Sequence, residues 1–167
     1  PNKLLVCADG ASARGQKVSI NPQSSLGASL SEEDAYNFGK IMGMQMNDKG
    51  VDWILGPSID MSFDPLMYLM AISDDPKITA KLYRQVVKGV QDQGVCSTVK
   101  HFPGLGTYFV NMHIGPGSNN LPFDELWDKS IDIAIKVIED INGYLYYDKP
   151  LTSSYILDDI SWNTGLP

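Results

Sequence analysis

Apolar residues along this 167-residue chain fall into short continuous runs that alternate with stretches of helical spacing. The runs Lys3 to Ala8, Val51 to Ile59, Val95 to Lys100 and Gly143 to Tyr147 read as strands. Between them Ser31, with Asp34 three residues on, predicts the start of a helix that runs to Lys49 and stops at Gly50. Asp75 and Pro76 read as the N-cap and first residue of a second helix, in which Ile78, Leu82, Val86 and Val90 form an i, i+4 stripe ended by Gly94. A third helix is expected from Pro122, carrying Leu126, Ile131, Ile135, Ile138 and Ile141 before Gly143, and Thr152 or Ser153 caps a short last one through Trp162. Strands alternating with helices specify an α/β chain of parallel (β/α) units. About four such units are half of a TIM-type barrel, which usually takes about 250 residues. The chain is therefore expected to be a single domain that forms part of such a barrel.

Loop lengths say where function belongs. Helix-to-strand connections are short and centred on Gly50, Gly94 and Gly143, whereas the strand-to-helix connections Asp9–Leu30, Asp60–Asp74 and Phe102–Leu121 are long. In barrels and open α/β sheets the site is built from the strand C-termini and these long loops. Asp9, Asp60, Lys100 with His101, and Asp148 end the four runs and are expected along one rim. Each alone is equally a turn former. The first loop, Asp9 to Gln16, has no G-x-G-x-x-G, which disfavours a dinucleotide-binding Rossmann sheet, and neither Gly104-Leu105-Gly106 nor Gly115-Pro116-Gly117 has the Lys-Ser/Thr tail of a phosphate loop.

Composition narrows the partners. The 43% hydrophobic content supports a packed core, and a formal net charge of -7 with pI about 4.6 opposes nucleic acid and anionic membrane surfaces. The chain carries neither an export signal pattern nor an apolar run long enough to span a bilayer, and its compartment stays open. Cys7 and Cys96 lie in strand-like runs and are expected as buried free thiols. The spacing of His101 and His113 fits no zinc pattern, so neither metal nor cofactor is expected.

Lys100-His101-Phe102-Pro103-Gly104-Leu105-Gly106, followed after four residues by Asn111-Met112-His113, resembles the signature K-H-F-P-G-[HL]-G-x4-D-[ST]-H of the β-N-acetylglucosaminidase branch of family 3 glycoside hydrolases. Gly56-Pro57-Ser58-Ile59-Asp60, Asp74-Asp75-Pro76, Gly89 to Val95 and Leu26-Gly27-Ala28 are similar to further segments of that family, in the same order. The resemblance implies the family's N-terminal (β/α)8 barrel, a carbohydrate partner, and retaining hydrolysis through a covalent glycosyl-enzyme. It implies sugar contacts at Asp9, Lys100, His101 and Asp60, and proton donation by His113.

Departures from the pattern bear on catalysis. The family orients its acid His with an Asp two residues earlier, and here that position is Asn111, an amide that cannot stabilise an imidazolium by charge. Met70 stands where the family has a sugar-binding Arg, and Ala11 where it has the Glu of a D-x-E-G-G turn, with Arg14 nearby. The family's nucleophile ends the strand after the helix that Tyr155 to Trp162 resembles, beyond Pro167. Two readings follow: a glycosidase acting on β-N-acetylglucosaminides or β-glucosides whose isolated 167 residues are inactive, or a degenerate domain that binds saccharide or protein on the same face. A half barrel also leaves strand edges open to a second copy or to the missing half.

Overall fold

The computed structural model describes residues 4–9, 23–61, 68–101, 122–128 and 132. Strands β1 (Cys7–Asp9), β2 (Trp53–Ser58) and β3 (Cys96–Lys100) form one parallel sheet in the order β1-β2-β3. The helices are α1 (Ser24–Ser29), α2 (Glu32–Asp48), α3 (Pro76–Gln91) and α4 (Phe123–Leu126). This is the parallel α/β arrangement read from the sequence. The expected fourth strand at 143–147, the last helix and most of the helix after Pro122 lie outside the described residues.

Local chemistry sets the helix ends. Ser31 Oγ accepts a hydrogen bond from the Asp34 amide at 3.1 Å, and three acidic residues fill the first turn of α2 where the helix dipole favours them. Asp75 Oδ1 accepts from the Lys77 amide at 2.7 Å, with Pro76 opening α3. Gly50 and Gly94 follow the helices at φ 72° and 77°, backbone that a side chain disfavours.

The α2/α3 pair is drawn together by two glycines. A Cβ on Gly39 would lie 2.0 Å from the Val86 carbonyl oxygen, and one on Gly89 only 2.2 Å from that of Tyr36, so the helices cross with backbones nearly touching. Phe38, Met42 and Met46 of α2 and Leu82, Tyr83, Val86 and Val90 of α3 fill the core beside this crossing, with Ile54 from the sheet.

Three expectations need correcting. The first strand is shorter than the run Lys3 to Ala8: Leu4 to Val6 are exposed, and Val6 meets the start of β2 outside the ladder, its carbonyl accepting from the Asp52 and Trp53 amides and its amide donating to Asp52 Oδ2. The long loop after β1 contains a helix, α1, which six residues without a side-chain cap do not announce. Cys7 and Cys96 are free but exposed rather than buried. The register explains it: Cys7, Trp53 and Cys96 are aligned across the sheet, one residue out of step with Ile54, which faces the core, and so share the opposite face.

Candidate functional site

The C-terminal ends of the three strands bring four of the expected residues together as two linked pairs. Lys100 Nζ lies 2.9 Å from Asp9 Oδ1, joining β3 to β1 across the full width of the sheet. His101 Nδ1 lies 2.7 Å from Asp60 Oδ2, joining the residue after β3 to the segment after β2. Because Lys100 and His101 are adjacent, one dipeptide draws on a carboxylate at the end of β1 and on another just after β2. Main chain holds it in place, since the Lys100 carbonyl accepts from the Ile59 amide and Lys100 is in register with Ser58. The Gly56–Pro57 and Lys100–His101 peptides are both cis.

The two pairs differ in their contact with water. Asp9 keeps 68% of its side chain exposed against 24% for Lys100, so this pair opens to solvent and offers both a carboxylate and an ammonium to a ligand. Asp60 is nearly the reverse, with 1% of its side chain exposed against 31% for His101. Its Oδ2 also accepts from Ser58 Oγ at 2.7 Å and, at 3.4 Å, from the His101 amide. The carboxylate therefore stands behind the imidazole, and His101 is the member of the pair that reaches the surface.

Tyr83 of α3 lies beneath this rim, fully buried. Its hydroxyl is 3.0 Å from Gln23 Oε1 and 2.9 Å from the Met70 carbonyl, so it ties the end of the first long loop to the end of the second. Burial, reinforced by the charge of Asp60, pushes its phenol well above the ordinary tyrosine range. Met70 thus meets α3 through its backbone carbonyl.

His113, Asn111, Ala11, Arg14 and Asp148 lie outside the described residues. Sequence reasoning passed over Ser58 and Tyr83. Ser58 was visible as the residue two before Asp60, on the same side of an extended segment, but Tyr83 reads only as one more apolar position of α3. Among the described residues no cluster of three or more His, Cys, Asp or Glu could hold a metal ion, and no helix is long and apolar enough to cross a membrane.

Comparison with known proteins places the chain in a family. Residues 4–140 match the profile of the glycosyl hydrolase family 3 N-terminal domain. A β-hexosaminidase of Hydrogenovibrio crunogenus is 31% identical over 109 residues, which cover 64% of this chain and 30% of that protein. One from Xanthomonas euvesicatoria pv. vesicatoria is 29% identical over 138 residues, covering 75% and 41%. Among solved structures, a family 3 β-N-acetylglucosaminidase from Paenibacillus sp. superposes with a TM-score of 0.72 at 26% identity, covering 81% of this chain and 27% of that one. The chain thus spans less than half the length of these relatives. A match running from residue 4 to residue 140 of 167, on a parallel sheet with the Lys-His dipeptide at its rim, makes this chain a member of glycoside hydrolase family 3, within that family's N-terminal domain.

Proposed function

We propose that this chain supplies the saccharide-binding face of a retaining glycoside hydrolase acting on β-N-acetylglucosaminides or β-glucosides. The observation that carries the reading is the Lys100–His101 dipeptide, held between Asp9 and Asp60 where three parallel strands end. A sugar hydroxyl both donates and accepts, and the pair of Lys100 and Asp9 offers an ammonium donor beside a carboxylate acceptor. His101 adds a further contact, with Asp60 positioning it. The β-hexosaminidase and β-N-acetylglucosaminidase relatives point to the N-acetylated sugar. In this reading His113 is the proton donor, weakened by Asn111, and the nucleophile comes from outside the 167 residues. The exposed face around Cys7, Leu55 and Cys96 is covered by further βα units, or by a second copy when the chain is alone.

Nitrophenol release from aryl β-N-acetylglucosaminides and aryl β-glucosides tests this. The 167-residue chain should show none, because no glycosyl-enzyme forms without a nucleophile. Turnover above a Lys100→Ala, His101→Ala control would contradict the assignment and make Asp148 the first nucleophile to test. Asn111 favours a second reading, a domain that binds saccharide without cleaving it. That reading prevails if the chain supplemented with a family nucleophile half, and carrying Asn111→Asp, still fails to turn over.

A further inference from the structure

Three groups that donate, or are able to, meet Asp60 Oδ2. The His101 amide can only donate, and it approaches at 3.4 Å. The Ser58 hydroxyl lies at 2.7 Å with its side chain buried in a residue of 0% exposure. The His101 ring nitrogen Nδ1 lies at 2.7 Å. Between an imidazole and a carboxylic acid the shared proton belongs to the imidazole, the stronger base in water by roughly 6.5 against 3.9 on the pKa scale. An oxygen that already accepts from a hydroxyl and an amide is a still better acceptor for that proton.

We infer that Ser58 and Asp60 form a buried device that fixes neutral His101 as the Nδ1–H tautomer, leaving Nε2 as a bare acceptor toward the ligand. The inference rests on the saccharide-binding reading for the identity of the ligand, but not for the tautomer itself. Asp60 and Ser58 are positioning residues, since Asp60 shows almost no surface and Ser58 none. The consequence is a specificity rule for this corner of the site. A ring nitrogen without a proton accepts but does not donate, so the ligand group that meets it must carry a hydrogen. A sugar hydroxyl or an amide N–H satisfies it, whereas an ether oxygen, a carbonyl or a carboxylate there would face a lone pair. Lys100, next in the chain and a donor only, imposes the opposite requirement on the group that meets its ammonium. Together they select a polyhydroxylated ligand over an anionic one, although the ammonium alone would attract either.

The tautomer is read directly by long-range proton–nitrogen correlation spectra of the ¹⁵N-labelled chain at about pH 8, above the ordinary histidine range of about 6.5. His101 and His113 are distinguished with a His113→Gln variant. The expected pattern for His101 is a protonated Nδ1 and an unprotonated Nε2, in the absence of any ligand. In Asp60→Asn the amide donates to Nδ1 and the pattern should invert to Nε2–H. In Ser58→Ala, which removes one donor and no charge, Nε2–H should become detectable beside the original form. If Asp60→Asn does not fold, judged by far-ultraviolet circular dichroism, Ser58→Ala decides alone. An Nε2–H ring in the unmodified chain, or a tautomer unmoved in every variant that folds, overturns the inference. Titration with N-acetylglucosamine is a separate arm. Lost affinity in folded Asp60→Asn supports the rule that a donor is required at Nε2, and unchanged affinity overturns it. No binding by the unmodified chain would instead defeat the saccharide reading while the ring spectra still judge the tautomer.

Discussion

Lys100 and His101 are neighbours in the chain, yet the carboxylates they meet come from positions 91 and 41 residues away. That separation marks what the sequence can and cannot tell. Asp9, Asp60, Lys100 and His101 were legible as strand-end residues because the apolar runs stop beside them. Which carboxylate serves which cation was not, because it depends on strand order and on burial. Asp60 shows the difference: from sequence it matches a sugar contact, and in the fold its side chain is turned inward behind His101. For Lys100, whose ammonium pairs with the solvent-exposed Asp9 carboxylate, replacement by alanine should weaken N-acetylglucosamine binding by about tenfold or more, since a hydrogen bond to a charged group is worth about 1.5–3 kcal/mol. Calorimetric titration of the variant checks it. Tyr83 gives a prediction of another kind. Its phenol stays neutral to a pH well above the ordinary value of 10.0, whereas in the unfolded chain it ionises there. The unfolded state then holds fewer protons than the folded one, so stability is fully present below about pH 10 and falls as pH rises beyond it. Denaturant midpoints measured across that range should decline more steeply for the unmodified protein than for Tyr83→Phe.

Helices α2 and α3 were readable from their caps and apolar stripes, and Ser31, Asp75, Gly50 and Gly94 stand at their ends as the pattern requires. The close crossing of the two was not readable, because a glycine inside a helix looks the same whether it merely weakens the helix or admits another backbone. Gly89→Ala should lower stability by about 1–3 kcal/mol or more, since its new methyl would sit 2.2 Å from a carbonyl oxygen that has little room to retreat. Gly50→Ala, which meets nothing within 4 Å but keeps φ 72°, should cost only about 1 kcal/mol. Thermal melts of the two variants side by side would separate packing from backbone conformation. The short α1 escaped notice for a related reason. Its place is set by Leu26 in the core and by Gly27, where a Cβ would fall 1.7 Å from the Ile72 carbonyl oxygen, both of them tertiary contacts.

At the scale of the whole molecule, one face of the sheet is packed by α2 and α3 while Cys7, Leu55 and Cys96 on the other are exposed. The same strand twist and connection rules that close eight such units into a barrel leave this face for further units to cover. For the 167 residues alone, sedimentation should show self-association, and a stable monomer would contradict the proposal that this face needs a cover. The rim is complete enough without that cover to be tested by itself, because Lys100, His101, Asp9 and Asp60 all belong to the three described strands and the residues that follow them. The most direct measurement is therefore a titration of the ¹⁵N-labelled chain with N-acetylglucosamine, following the amides of Asp9, Asp60, Lys100 and His101. Saturable shifts at these positions, lost in the Lys100→Ala, His101→Ala variant while its other resonances stay in place, are the predicted result. Shifts absent from the strand ends, or equally present in the double variant, would contradict the assignment of this rim as the sugar-binding face.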